Sequence, residues 1–337
     1  MARGKKHPVQ QQQQQVAPTR APTLDPRPRP KRAASPLPFA HYLPRVPLQL
    51  AAVFFSLLAA SASTVPASTQ ALAPTTRPVQ RVAAALIHDP LRTLPVACAL
   101  LALVQAWFGI WAKSCRASAK KQAQDGDKST ATEPRREKRS PKEIISAMWN
   151  KALSGEAPHK DLWRRATQAN VGGRGPTLDT DFIAPALATT FAGAVVFHVC
   201  AVLLGAPLLS NVAETAALSV LVSILAILPL AIALPPILSP TSSTDRYVWL
   251  RFFSSVSPND DLELALLAPA LGAILGAWLG AIPVPLDWDR PWQVWPTTCV
   301  FGTLIGHAVG SIISLAVAGF HTAARAAEEA LDAVKSE

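Results

Sequence analysis

The chain has 337 residues, of which half are hydrophobic and only 16% are charged, yet its formal net charge is +10. About a quarter of the residues of a soluble globular protein are charged, so this composition argues against a chain built only of soluble domains. The four cysteines are far apart and three of them lie in apolar segments, which excludes a disulfide-stapled secreted scaffold. Charged and apolar residues must therefore occupy different segments.

The first segment, residues 1–45, is polar and basic. It contains six consecutive glutamines and many prolines. Such a composition cannot bury a core, so we expect a disordered tail. We interpret its basic residues as an orientation signal that also contacts anionic lipid, and we predict no nucleic-acid partner.

Six segments without Lys, Arg, Asp or Glu follow, and each is near the ~20 residues that cross the hydrocarbon core of a bilayer. A charge at the bilayer centre costs about 2.5–3.5 kcal/mol, so these segments are candidate membrane spans. The first is the weakest, because it is rich in Ala and Ser and has Gln49 near its start. The predicted fold is therefore all-α, a polytopic membrane protein with six transmembrane helices. They occupy residues 46–65, 93–112, 183–209, 215–239, 264–285 and 294–320.

These spans divide the chain into five regions and give it an orientation. After the tail come the first two helices (46–112), a mostly disordered loop (113–182), a four-helix core (183–320) and a short carboxyl-terminal helix (321–337). Of the 32 Lys and Arg residues, 28 fall on the side of the two tails. The positive-inside rule therefore predicts that both termini and the long loop are cytosolic.

Glycines recur every fourth residue in the last two predicted spans. Residues four apart share a helix face, so each span has a face without side chains where another helix can approach closely. The link between the spans is short, which makes them antiparallel neighbours. Either the two faces close this hairpin, or at least one of them contacts a helix of a partner. The glycines are Gly272, Gly276, Gly280, Gly302, Gly306 and Gly310.

The link itself is rich in proline and tryptophan. Tryptophan prefers the membrane interface, and proline fixes φ, so we predict a stiff turn at the membrane surface. Its two aspartates could pair with the arginine that follows them or, less simply, bind a metal. The residues of this turn are Pro283, Pro285, Asp287, Trp288, Asp289, Arg290, Pro291, Trp292, Trp295 and Pro296.

Residues 276–296, GAWLGAIPVPLDWDRPWQVWP, closely resemble the signature of the PIG-F family of glycosylphosphatidylinositol (GPI) anchor biosynthesis proteins. A second match is formed by Gly205, Ala206 and Pro207, followed by Glu214 and Thr215. The resemblance covers about residues 183–320, and the remaining segments look like insertions of a fungal-type member.

The resemblance implies a multi-pass protein of the endoplasmic reticulum membrane. It also implies partners, the PIG-O-like and PIG-G-like ethanolamine phosphate transferases, which add phosphoethanolamine to mannoses of the GPI precursor. The family member is the non-catalytic subunit that stabilises or assists them. We accordingly predict no catalytic residues, no cofactor and no metal site.

The residues themselves agree with a non-catalytic role. Phosphoryl transfer by a two-metal centre needs a cluster of Asp and His, and the segments predicted to be lumenal have few of either. An alternative is a lipid-handling or transporter-like protein that presents phosphatidylethanolamine or the GPI precursor. In that case Arg290 would contact a phosphate, and Glu214 or Asp287 an ammonium group. A small-solute transporter would have inverted repeats, and the two halves show no such similarity.

Overall fold

The structure, a computed structural model, describes residues 37–64, 77–131, 181–234, 237, 243–286 and 288–336. The predictions for residues 1–36, for most of the long loop (132–180) and for Asp287 lie outside these residues. In the described part every regular element is helical. The α-helices are α1 (Phe39–Thr64), α2 (Pro78–His88), α3 (Pro90–Ala131), α4 (Ile183–Leu203), α5 (Val212–Ala226), α6 (Leu228–Ala233), α7 (Ser243–Ser255), α8 (Asp261–Ala281) and α9 (Thr297–Ser336).

Five of these helices, α1, α3, α4, α8 and α9, are long and apolar enough to cross a membrane. Each overlaps one of the predicted spans, although α4 ends at Leu203 and α8 at Ala281, before the ends predicted at 209 and 285. The overlap confirms an all-α polytopic membrane protein. Some of the helix ends that we predicted from the sequence differ from the observed ends. The first span begins at Phe39 instead of residue 46, and α3 and α9 continue well beyond their apolar parts.

The fourth predicted span, 215–239, is divided between α5 and α6. The helix breaks at Ile227, two residues before Pro229. Proline has no N–H to donate and its ring crowds the preceding turn, which explains the break. Together the two segments run from 212 to 233, about 33 Å at 1.5 Å per residue. The second segment ends at Ala233, and the next residue, Leu234, is extended and precedes two further prolines.

Two short helices were not predicted from the sequence. α2 lies in the segment assigned to a loop between the first two spans, and it buries Val82, Ala85 and Leu86 on one face. α7 lies in the predicted loop before α8, and it buries Trp249 and Phe252. In each helix these buried residues follow the first of them by three or four positions, which is the spacing of one helix face. This spacing indicates a helix even where the mean hydropathy is too low for a membrane span.

Buried polar side chains join three of the membrane helices. Gln49 of α1 donates a hydrogen bond from Nε2 to Oε1 of Gln105 on α3, at 3.0 Å. Nε2 of Gln105 lies 3.3 Å from Nε2 of His307 on α9, and the hydroxyls of Tyr42 and Ser314 are 2.7 Å apart. Polar groups inside a bilayer need such partners, so these bonds fix α1, α3 and α9 against one another.

Candidate functional site

The glycine faces of α8 and α9 pack directly against each other. A Cβ atom at Gly276 would lie 2.8 Å from the carbonyl carbon of Gly302, and one at Gly280 would lie 2.7 Å from Cα of Cys299. Added Cβ atoms at Gly272 and Gly306 would overlap each other's carbonyl oxygens, and one at Gly310 would overlap that of Ala268. Each glycine face is thus occupied by the other, and the hairpin closes at backbone contact.

The turn after α8 is held by the side-chain amide of Gln293, a residue that the sequence did not single out. Its Nε2 donates to the carbonyl oxygens of Pro283 at 2.7 Å and Leu286 at 2.8 Å. Its Oε1 accepts a bond of 2.8 Å from the backbone N–H of Arg290. One amide therefore bridges both ends of the turn.

The tryptophans of the turn differ in their surroundings. Trp288 and Trp292 are exposed and meet edge to face, with ring centroids 5.7 Å apart. Trp295 is half-buried, and its Nε1 donates to Oγ1 of Thr215 at 3.1 Å. The turn is therefore tied to the first turn of α5, and Asp289, in the left-handed region at φ 45°, lies on its exposed side.

The second match to the family forms the end of α4. Gly205 has φ 108°, and the N–H of Ala206 donates to the carbonyl oxygen of Ala201 at 2.9 Å. This is a Schellman ending, which requires a left-handed residue after the helix, and glycine adopts that conformation without strain. Pro207 then prevents the helix from continuing. Glu214, in the first turn of α5, has the charge that suits a helix amino terminus.

Both family matches line one cavity of about 520 Å³ between α4, α5, α8 and α9. Gly205, Ala206 and Pro207 form one wall, and Pro285 and Trp295 form another. Segments 80 residues apart in sequence, joined by the bond of Trp295 to Thr215, therefore enclose a mostly apolar space at the turn end of the bundle.

A second concavity is a long apolar groove of about 820 Å³ along the outer side of the α8–α9 hairpin. The glycine backbones form its floor, and the exposed side chains of Leu275, Leu279, Ile305 and Val309 form its rims. At its turn end Thr297 and Thr298 have buried hydroxyls without a hydrogen-bond partner.

The opposite end of the hairpin carries buried ion pairs that the sequence analysis missed. Glu263, near the start of α8, contacts Nη2 of Arg251 at 2.5 Å and Nη2 of Arg116 at 3.9 Å. Asp261 pairs with Nδ1 of His321 at 2.7 Å and with Arg325. These contacts join α8 to α3, α7 and α9.

The start of α8 is capped by Asp260. Its Oδ1 accepts the backbone N–H of Glu263 at 2.8 Å. Burial raises the pKa of the Asp260 carboxyl above its ordinary value.

The described residues contain no group of three or more His, Cys, Asp and Glu side chains arranged to hold a metal ion. Within the same residues, Arg290 makes no ion pair and its side chain is exposed. What the predicted residues form together is a packed helical hairpin with a hydrogen-bonded turn, an adjoining cavity and an apolar outer groove.

The profile of the GPI biosynthesis protein family Pig-F matches residues 71–315, most of the chain. The chain belongs to this family. The match begins well before residue 183, so α2 and α3 belong to the family region as well as the four-helix core.

Curated relatives of this Pig-F family member come from animals and fungi. The human "GPI ethanolamine phosphate transferase, stabilizing subunit" is 41% identical over 118 residues, which are 35% of this chain and 50% of the relative. "Glycosylphosphatidylinositol anchor biosynthesis protein 11" of Yarrowia lipolytica is 38% identical over 143 residues, 42% of this chain and 58% of the relative. A "PIGF/3-ketodihydrosphingosine reductase fusion protein" of Schizosaccharomyces pombe is 33% identical over 138 residues, 41% of this chain and 26% of the relative.

The aligned part of the chain thus spans about half the length of the first two of these relatives. No solved structure matches the chain significantly.

Proposed function

We propose that this Pig-F family member is a non-catalytic membrane subunit of the endoplasmic reticulum that stabilises a GPI ethanolamine phosphate transferase. The observation that carries the proposal is the family match over residues 71–315, together with the human relative's name as a stabilising subunit of that transferase. PIG-O-like and PIG-G-like transferases are the partners that fit.

The orientation that suits this role places both termini in the cytosol and the turn between α8 and α9 in the lumen. The distribution of Lys and Arg supports it, because 28 of 32 fall on the side of the termini. Trp288 and Trp292, exposed at the end of two membrane helices, suit the lumenal headgroup region.

The surface proposed for the transferase is the groove along the α8–α9 hairpin, and the occupant is one of its transmembrane helices. Helices associate in lipid through close packing and interhelical hydrogen bonds, and a floor of glycine backbone permits the closest approach. The groove extends from Ala268 to Gly280 on α8, about 18 Å of helix.

The test is to fill the groove and measure how much transferase co-purifies. Val309→Trp places a bulky ring in the groove, and Val195→Trp, on α4, is the matched control because the two valines are equally exposed, at 49% and 48%. We expect Val309→Trp to lower co-purified transferase about tenfold, the effect of about 1.4 kcal/mol of lost binding. The control should retain it. Equal recovery with both variants would remove the groove as the docking surface.

A second candidate function, the handling of lipid, rests on the cavity of about 520 Å³ that both family matches enclose. The occupant proposed is phosphatidylethanolamine or the GPI precursor. Arg290 and Glu214 do not line the cavity, so they would contact the phosphate and the ammonium group of a headgroup that extends beyond it. Asp287, the other predicted partner of the ammonium group, lies outside the described residues.

Filling this cavity separates the two functions. Ala201→Phe would occupy the cavity, and Ala192→Phe, on an exposed part of the same helix, is its control. Lipid handling predicts that Ala201→Phe and Arg290→Ala leave the transferase bound but lower ethanolamine phosphate addition to GPI. Normal addition in both variants would exclude this second function.

A further inference from the structure

A small pocket lies between α1 and α3, far from the turn of the hairpin. It has a volume of about 330 Å³, and its polar lining residues are His41, Arg45, Ser114, Ser118 and Gln122. Phe39, at the start of α1, lies against Gly319 of α9. That glycine is about 33 Å along α9 from Thr297, which places the pocket at the other boundary of the membrane.

Aromatic rings hold the Arg45 guanidinium in this pocket. Its Cζ lies 4.7 Å from the centre of the Trp111 ring, which is itself stacked on Tyr42 at 6.0 Å. Nη1 donates to the carbonyl oxygen of His41 at 2.7 Å. Among the described residues this is the one hydrogen bond of the guanidinium, and its Nε is buried without a partner.

The charge of Arg45 has no counterpart in the described part of the chain. Three other arginines at this end of the bundle are paired, Arg116 and Arg251 with Glu263 and Arg325 with Asp261. Arg45 makes no such pair with a described carboxylate, and no residue that lines the pocket is acidic. A cation at the edge of the hydrocarbon region is stabilised by an anion, and lipid phosphates lie at that depth.

We propose that this pocket binds the phosphate of an anionic phospholipid. The planar guanidinium presents paired N–H donors that match phosphate oxygens, and the His41 ring and the Gln122 amide can supply further donors. No lining carboxylate is available for the ammonium of phosphatidylethanolamine or the choline of phosphatidylcholine. The pocket therefore favours headgroups without a cation, such as phosphatidylinositol or phosphatidic acid.

The full chain in mild detergent, titrated with phosphatidylinositol and with phosphatidylcholine, tests this by native mass spectrometry. Arg45→Gln removes the charge in the pocket. Lys120→Gln removes one charge from the same end of α3 at an exposed position outside the pocket. We expect Arg45→Gln to weaken phosphatidylinositol binding about tenfold, since charge-assisted bonds of this kind contribute about 1.5–3 kcal/mol. Lys120→Gln should bind like the wild type, and phosphatidylcholine should bind weakly to all three.

Three outcomes would overturn the proposal. Unchanged phosphatidylinositol binding by Arg45→Gln would remove the site. An equal loss in Lys120→Gln would show that only overall charge matters. Displacement of the lipid by millimolar inorganic phosphate would assign the pocket to a soluble anion instead. Arg45→Lys keeps the charge but loses the paired donors, so this variant should bind phosphatidylinositol with intermediate strength. That result would show that the weaker binding of Arg45→Gln is not caused by a failure to fold.

Discussion

A single side-chain amide, that of Gln293, connects three backbone groups of the turn between α8 and α9. Gln293→Leu keeps the size of the side chain but leaves these groups without their partner. Each unsatisfied group costs about 1–3 kcal/mol when buried. Because this turn is partly exposed, we expect the free energy of unfolding to fall by an amount near the lower limit of that range. The measurement is the thermal unfolding midpoint in detergent, followed by tryptophan fluorescence.

The control for this change is Arg290→Ala, which removes an exposed side chain from the same turn and keeps the backbone N–H that Gln293 accepts. Its midpoint should stay at that of the wild type. A Gln293→Leu protein as stable as Arg290→Ala would show that the amide does not hold the turn.

Trp295 and Thr215 form the one side-chain hydrogen bond that the described residues show between the turn and α5. Trp295→Phe and Thr215→Val each remove it, at a cost of about 0.5–1.5 kcal/mol for the bond itself. The double variant should lose less stability than the two single variants added together, because the bond can be lost only once. Trp292→Phe is the control, since its exposed ring lacks this contact. Strictly additive losses in unfolding experiments would contradict a direct coupling.

At the scale of the helices, the contact between α8 and α9 depends on the absence of side chains. Gly276→Ala places a methyl group against the backbone of Gly302, so the helices must separate. Overpacking of this kind costs about 1–3 kcal/mol or more. Gly319→Ala is a matched control in α9, because its methyl group would meet only the ring edge of Phe39, at 3.2 Å. We expect a lower thermal midpoint and a lower yield for Gly276→Ala, and near wild-type values for Gly319→Ala. Similar values for both would contradict backbone-to-backbone packing.

Local patterns explain which helices the sequence could predict. Apolar length is a property of one segment, so α1, α3, α4, α8 and α9 could be recognised from composition. The break at Ile227 could not be located in this way. Pro229 is a signal for it, but Pro95 and Pro269 lie inside continuous helices, so proline alone does not show where a helix breaks. α7 is short and bears Arg251 and Trp249 together, so its mean hydropathy gives no span.

The candidate site also has features that the sequence could predict and features that it could not. The spacing of the glycines defines a face on each helix, but the sequence left open whether that face meets the other helix or a partner. The bond of Trp295 to Thr215 and the pairs of Glu263 join residues from distant segments. Local patterns in a single sequence do not reveal such contacts, because these contacts depend on how the helices pack.

For the whole molecule, the ion pairs of Glu263 join three helices, α3, α7 and α8, at the end opposite the turn. Arg251 and Glu263 have side chains only 9% and 6% exposed. Glu263→Gln leaves the buried charge of Arg251 uncompensated, which costs about 3–5 kcal/mol. We therefore expect a large fall in the thermal midpoint, whereas Glu328→Gln, at an exposed position of α9, should change it little. A small effect of Glu263→Gln would show that water or another carboxylate already serves Arg251.

The orientation of the molecule can be tested with α9, which runs without interruption from Thr297 to Ser336. Residue 328 lies about 47 Å along this helix from residue 297, more than the ~30 Å of the hydrocarbon core, so Glu328 and Arg290 should lie on opposite sides. Cysteines are introduced separately as Glu328→Cys and Arg290→Cys after the exposed Cys200 has been changed to Ala, since Cys98, Cys115 and Cys299 are buried. In sealed endoplasmic reticulum vesicles an impermeant maleimide should label Glu328→Cys directly and Arg290→Cys only after detergent is added. Labelling of Arg290→Cys in intact vesicles would place the tryptophan-rich turn in the cytosol, away from the compartment in which the proposed partner would need it.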